Sequence, residues 1–518
     1  MNFNLVDQPW LPCIGQDGRR REVGIREALA KAHEFAGLRD PSPLVTAALH
    51  RLLLAVLHAA LRGPKDLAAW KALWTGGSFD LPEFAAYLDR WRNRFDLFDA
   101  AHPFYQVPGL VVRSGKSAKE SATNVSRLVH EISAGNNATL FDHSYDSEVP
   151  ALSPDACARA LVAAQAYSLG GLAGGGRPNF ESAPLVGGVT ALLRGRTLFA
   201  TLMLNLLSYA DDVPLEGQHI SEDRPAWECD TTRTGGCRGY VDLLTWQSRH
   251  VRLLPDVDGV RRMFYERGRR LDRLSPPREP MWFYRLNKDK EPVPVRLGTD
   301  RALWRNSHSL FAFSAKDGGY DRRPLAFRQV AALRHRGVLT ERDQWRCSLM
   351  GLASDQAKVF LWAHEDLPIP VALLDDEEMV VRLQVALEKS EAVGSALRDA
   401  LMDLARGLLT FDPSGQGSRQ PDRDAQRALA DSLQGERVFW SSLELPFKRF
   451  LEDLPSRGDD AVRSWIAIVC VAARRAFAGA AENCLGLSAR ELKARVAAEG
   501  RLMGRLKAIE NGDQGGDA

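Results

Sequence analysis

The chain has 518 residues, 45% of them hydrophobic and 26% charged, with seven cysteines and a formal net charge of +2. That length exceeds what one core needs and points to two to four folded units, while the charge content is that of a globular chain and argues against disorder. The cysteines are odd in number, scattered and without a CxxC pair, which argues against a disulfide scaffold and suits a reducing compartment.

The opening "MNFNLVDQPWLPC" lacks the basic and apolar regions of a secretory signal, so a cytoplasmic protein is expected. The first 40 residues alternate apolar and polar positions and carry Asp17-Gly18, which predicts short strands and turns. From Ser42 to Leu61 the pattern predicts a helix with Pro43 at its first position, and residues 82–93 and 154–168 read as further helices. Between Phe199 and about Leu349 the chain is rich in Pro, Arg and Trp, with short β-like runs such as "GYVDLLTW", the signature of α+β material with long loops. Beyond Pro370 it turns helical: Asp375–Leu409 opening on acidic "DDEE", a loop at 412–422, then 423–453 with a break at Gly435, 459–483, and 488–511 opening on a Ser488/Glu491 capping box. The run "WIAIVCVAA" ends at Arg474 and Arg475 and reads as too short to span a membrane. The expected architecture is a mixed α+β domain over 1–371 followed by a C-terminal four-helix bundle over 372–518.

Charge is unevenly placed. Between Thr231 and Arg346 there are 25 Lys and Arg against 13 Asp and Glu; the rest of the chain carries 43 against 53. A basic middle in an acidic chain points to a polyanion such as nucleic acid, with an ordinary solvated face as the plainer reading.

Catalytic patterns fail one by one. "SGKS" at 114–117 resembles the end of a phosphate loop, but the required glycine is Leu110. His50 and His58 lie on an apolar helix and read as partly buried side chains. Cys229 and Cys237, eight apart and without a second pair, make a weak zinc signal, so no metal or cofactor is expected. "FDHSYD" offers Asp142, His143 and Asp146, a weak acid/base or metal set that keeps a metal-dependent nucleic-acid-processing enzyme open as the alternative.

One stretch resists a packing explanation. "AYSLGGLAGGGRPN" has glycine at 170, 171, 174, 175 and 176, which forfeits backbone entropy unless something must approach closely.

Taken in order, "DQPWLP", "AHPFYQVPG" (101–109), "ISAGNNATLFD" (132–142), the glycine stretch, "VTALLRGRTLFATLMLNLL" (189–207), "RPAW" (224–227), "GYVDLLTWQSRHVRLLPD" (239–256) and "SLMGLASDQAKV" (348–359) resemble the large-subunit, or CasA, family of the type I-E CRISPR surveillance complex Cascade. The resemblance implies a non-enzymatic reader. Such a subunit recognises the short protospacer-adjacent motif in double-stranded target DNA from the minor groove, helps open the duplex, and recruits a helicase–nuclease. Its other partners are the guide RNA and the remaining Cascade subunits, with no membrane.

Under that resemblance Gly174, Gly175 and Gly176 align with the family's groove-reading glycine loop, with Arg177 as a phosphate partner. A minor groove about 6 Å wide admits backbone where side chains collide; a flexible linker is the alternative. Gln356 takes the position of the family's duplex-opening wedge, with Asp355 where members carry Asn, or else sits on a surface turn. Asn136, Asn137, Leu140, Phe141 and Asp142 align with the loop that reaches toward the guide RNA and the neighbouring subunit, or form an ordinary Asn-rich turn. Tyr265 stands where the family places a minor-groove lysine, so Arg262 or Arg267 is expected to substitute. Lys288 and Lys290 match a basic turn that handles duplex phosphates.

Overall fold

The computed structural model describes residues 1–114, 119–130, 151–173, 177–209, 222–229, 235–271, 277–298, 301–312, 321–340, 345–355, 358–410, 421–482 and 488–511. The chain forms two compact units. One comprises Met1–Leu303 with Phe313–Leu367, the other Trp304–Ala312 with Pro368–Ala518.

The first unit is built around the helix Pro43–Leu61. Ser42 caps it by accepting from the Val45 amide (3.4 Å), and Pro43 occupies the first turn. Every residue from Thr46 to His58 is buried, as a helix apolar on all sides requires. The helices Pro82–Trp91, Pro154–Tyr167, Leu198–Asn205 and Tyr240–Leu244 pack against it. Its two histidines are wholly buried, and burial pulls the His50 imidazole down to about 4 and that of His58 to about 3, so both are neutral core groups.

Among the described residues are three three-stranded sheets, of which the one centred on Trp345–Asp355 packs against this helix. The N-terminal one has Leu11–Gly15 between Arg20–Val23 and Phe35–Leu38. A second has Gly259–Arg267 between Thr123–Asn124 and Arg249–Asp256. In the third, Trp345–Asp355 lies between Thr190–Arg194 and Lys358–Ile369. The β-like reading of "GYVDLLTW" is corrected: Tyr240–Leu244 is helical. Its N-terminal amides are capped from a distance, the Asp223 carboxylate accepting from Val241 N (3.1 Å) and Asp242 N (2.8 Å). A tertiary contact here overrides local β propensity.

In the second unit the helix Glu377–Leu409 begins at Asp376, whose side chain accepts from the Glu378 and Met379 amides. It packs along Asp459–Glu482 and Ala489–Glu510. The fourth rod is segmented into Arg423–Ser432, Gly435–Ser442 and Glu444–Arg457, with Gln434 left-handed (φ 56°) at the first break. Ser488 and Glu491 form the expected capping box. A Cβ on Gly394 would lie 2.5 Å from the Trp440 ring, so glycine is what lets these helices approach. Trp304 stacks on Phe447 (centroids 4.5 Å), and Arg305 binds Glu391 through two hydrogen bonds (2.9 and 2.6 Å) while lying over Trp440. These contacts join residues 304–312 to the helices.

Among the described residues two helices, Pro43–Leu61 and Asp459–Glu482, are long and apolar enough to cross a membrane by length and composition. For the second this corrects the sequence reading, because the helix runs on through Arg474 and Arg475. Each packs a buried face against its neighbours, including Trp465, Val469 and Phe477 of the second.

Candidate nucleic-acid interface

The glycine stretch leaves the helix Pro154–Tyr167 and returns to the strand Thr190–Arg194. At its base Gly171 and Phe180 exchange both backbone hydrogen bonds (3.0 and 2.8 Å). Ala183 N donates to Ser168 O and Leu185 N to Ala166 O, so the two arms run antiparallel like a closed hairpin. A Cβ on Gly170 would come within 3.1–3.2 Å of Ser182 and Phe180, which explains one glycine by the closeness of the arms. Arg177 is half-buried and donates to Ala173 O (2.7 Å) across the loop. Gly174, Gly175 and Gly176 lie outside the described residues.

Beneath the base sits a cluster of cations and rings. Arg249 is 1% exposed, and its guanidinium donates to the Tyr265 hydroxyl (2.8 Å), Ser248 O (2.8 Å) and Leu169 O (2.7 Å). The Tyr265 hydroxyl in turn donates to Ser168 Oγ (3.4 Å). Arg249 also lies 5.2 Å from the Phe180 ring and 6.0 Å from that of Tyr265. Arg127 covers the same two rings at 5.0 and 4.8 Å. Partial burial, together with the charges of Arg249 and Arg177, pulls the Arg127 guanidinium below the usual arginine range. Among the described residues no carboxylate pairs with Arg249. A buried cation satisfied only by neutral acceptors leaves its field uncancelled. Arg269 is different: Asp242 neutralises it through two short bonds (2.6 and 3.0 Å) and Trp246 stacks on it.

The strand register separates the two arginines that the sequence left as alternatives. Arg267 is paired with Arg249 and shares the strand face of Tyr265, two residues away. It is half-buried and makes no hydrogen bond or ion pair among the described residues. Arg262 lies on the other face, is exposed, and donates to Ala122 O (3.1 Å). Tyr265 itself is 6% exposed and belongs to the packing under the loop.

The hairpin expected to carry Gln356 has its strands at Trp345–Asp355 and Lys358–Ile369; Gln356 and the Asp355 side chain lie outside the described residues. Its root is tied to the glycine loop. Strand Thr190–Arg194 pairs with Trp345–Asp355 from Arg346↔Arg194 to Met350↔Thr190, and Thr190 Oγ1 shares a hydrogen bond with the Tyr167 hydroxyl (3.0 Å). Lys288 and Lys290 are exposed on a tight turn between Tyr284–Leu286 and Pro292–Pro294, where the Asn287 side chain accepts from the Asp289 and Glu291 amides. Neither lysine has an ion-pair partner among the described residues.

Asn136, Asn137, Leu140, Phe141 and Asp142, together with His143 and Asp146, also lie outside the described residues. The flanks of that segment are anchored: His130 Nε2 is 3.0 Å from Tyr167 O, and Leu152 pairs with Val260. Among the described residues no three His, Cys, Asp or Glu side chains are grouped as metal ligands; the Cys229 and Cys237 thiols donate to Pro225 O and Gly239 O. Sequence reasoning missed Arg127, Phe180 and Arg249. Their only sequence signal is the local density of arginine and aromatic residues.

A family model described as CRISPR-associated protein Cse1 matches residues 4–476. The CRISPR-associated protein CasA/Cse1 of Thermus thermophilus is 35% identical over 97% of this chain and 98% of its own length. A solved structure of Thermus thermophilus CasA (Cse1) superposes with a TM-score of 0.80 at 31% identity, covering 98% of this chain and 99% of that one. The crystal structure of Cse1 from Acidimicrobium ferrooxidans gives 0.79 at 27% identity over 99% of both. The same fold recurs, at 21% identity and a TM-score of 0.76, in a CRISPR RNA-guided surveillance complex, over 97% of this chain and 99% of that one.

Proposed function

The chain belongs to the Cse1 family of CRISPR-associated proteins, and from that membership we propose that it is the non-catalytic large subunit of an RNA-guided surveillance complex in the cytoplasm. In this reading it recognises a short motif beside the target from the minor groove of duplex DNA. It then starts strand separation with Gln356 and recruits a helicase–nuclease. The guide RNA and the other subunits of the complex are its partners, the RNA approached through Asn136–Asp142.

The observation that carries this reading is the cluster under the glycine loop. A loop without side chains at 174–176 is rooted above Arg249, a buried cation with no countercharge among the described residues, and beside Arg127 and the unpaired Arg267. Such a platform attracts the phosphates that flank a groove while the loop backbone reaches the base edges. Lys288 and Lys290 add positive charge on their own exposed turn. The test is an electrophoretic binding series with the reconstituted complex, varying the bases beside a constant target and the salt. The reading requires selection among those bases and a steep loss of affinity with salt. Binding indifferent to both would contradict it.

A further inference from the structure

The glycine stretch carries few side chains, and each of them has a distinct surrounding. Residues 172–179 separate Gly171 from Phe180, and among them only Leu172, Arg177, Pro178 and Asn179 have a side chain larger than a methyl group. Arg177 is turned back on its own loop, donating to Ala173 O (2.7 Å). The other three are exposed, Leu172 to 84%.

The paired base sets which way they face. Gly171 and Phe180 exchange both backbone hydrogen bonds, and the Phe180 ring, 6% exposed, is turned inward over Arg127 and Arg249 (5.0 and 5.2 Å). Side chains alternate along an extended chain, so Leu172 and Asn179, the residues next beyond that pair, face away from the buried cluster, in keeping with their exposure. The Asn179 side chain makes no hydrogen bond among the described residues, which leaves its Oδ1 to accept and its Nδ2 to donate. Glu181, the only acid between Gly170 and Ser182, lies 3.8 Å from Arg270. A lone exposed leucine is ordinary on a protein surface. This one stands two residues before Gly174, and the unpartnered amide stands three after Gly176. A narrow, side-chain-free stretch flanked by an apolar group and an amide suits a groove with sugar walls and a polar floor. The minor groove has that form, with acceptors at A·T pairs and the added guanine N2 amino donor at G·C.

We propose that Leu172 and Asn179 are specificity-determining contacts to duplex DNA: the Asn179 amide hydrogen-bonds one base-pair edge in the minor groove, and Leu172 packs on the sugars that wall it. The inference rests on the duplex-reading function above and adds to the loop backbone the side chains that select a base pair. A carboxamide answers either pattern of the groove, donating to adenine N3 or thymine O2 and accepting from the guanine amino group.

The test uses the reconstituted complex and duplex targets in which one flanking base pair at a time is altered only on its minor-groove edge. Inosine in place of guanine removes the N2 amino group, and 2,6-diaminopurine in place of adenine adds it. At one flanking pair the parent complex should change affinity by about fivefold on that exchange, and the Asn179→Ala complex by less than about twofold, with the responses at other pairs kept. Leu172→Ala should weaken binding to every duplex by about threefold or more without changing the slope of affinity against salt, because an apolar contact releases no counterion. Leu172→Met should restore the affinity. Both side chains are exposed, so circular dichroism and complex assembly should match the parent. An Asn179→Ala complex that responds at every flanking pair as its parent does would overturn the proposal, as would unchanged affinity in Leu172→Ala. A parent complex indifferent to every exchange would refute the duplex-reading function itself, and this inference with it.

Discussion

Replacing Tyr265 by the lysine that the family resemblance places there should damage the protein. Tyr265→Lys removes the hydroxyl that accepts from Arg249 Nε (2.8 Å), and a hydrogen bond to a charged group contributes about 1.5–3 kcal/mol. It also removes the ring on which Arg127 and Arg249 lie, worth roughly 0.5–2 kcal/mol per contact. The new ammonium would enter a buried position about 6 Å from the Arg249 guanidinium. At an effective dielectric of about 20, two unit charges at that distance repel by roughly 3 kcal/mol. Allowing for relaxation of a flexible lysine, the total is on the order of 4–6 kcal/mol. For a unit of this size that corresponds to a melting temperature lower by on the order of 10 °C. Tyr265→Phe keeps the ring and loses only the hydroxyl, so about a third of that loss is expected. Thermal unfolding followed by circular dichroism, with motif binding measured on whatever remains folded, separates the cases. A Tyr265→Lys protein as stable as its parent and binding DNA more tightly would show that position 265 faces the groove, and would refute the cluster as a foundation for the loop.

Other consequences follow from the same geometry. Arg267→Glu should lower the complex's affinity for duplex DNA at least tenfold for all motifs alike and flatten its salt dependence, whereas Arg262→Glu, on the opposite strand face, should change it less than threefold in the same titration. Burial would raise the Asp366 carboxyl, but hydrogen bonds from His364 (3.0 Å) and Ser348 (2.5 Å) and the charge of Arg194 outweigh it and hold the group well below the ordinary carboxylate range. A depressed carboxyl stabilises above the unfolded value of about 3.9, and the stabilisation fades as pH falls below it. Asp366→Asn should therefore cost about 1–2 kcal/mol at pH 7 in urea denaturation, with the gap closing between pH 4 and pH 2. Gln356→Ala should impair opening of a fully paired target more than initial binding, read by 2-aminopurine fluorescence beside the motif, and a target already mismatched there should rescue it. Equal loss on paired and mismatched targets would make Gln356 a reading contact.

Much of the fold is written in local chemistry. Ser42 with Pro43, Asp376 behind its acidic turn, and Ser488 with Glu491 announce their helices because each cap lies within a few residues of the amides it satisfies. Tyr240–Leu244 hides because its cap, Asp223, is 18 residues upstream. Residues 304–312 carry no mark of the unit they join, since Trp304 finds Phe447 and Trp465 only in three dimensions. The glycines drew attention through composition, and so did the excess of arginine. The arrangement beneath the loop was illegible because its acceptors are main-chain carbonyls, a serine and a tyrosine, drawn from segments 80 residues and more apart. Arg267 and Arg262 are told apart by the strand register, their burial and the bond from Arg262 to Ala122 O, none of which is written locally.

The central claim is that the backbone at 174–176 reads DNA. Gly175→Val, assembled into the full complex and titrated against targets that differ only in the flanking motif, tests it directly. A β-branched side chain at that point should abolish the difference between motifs while the complex assembles normally, because the collision arises only against the groove. A Gly175→Val complex that ranks the motifs as its parent does would show that the loop is a linker and contradict the account.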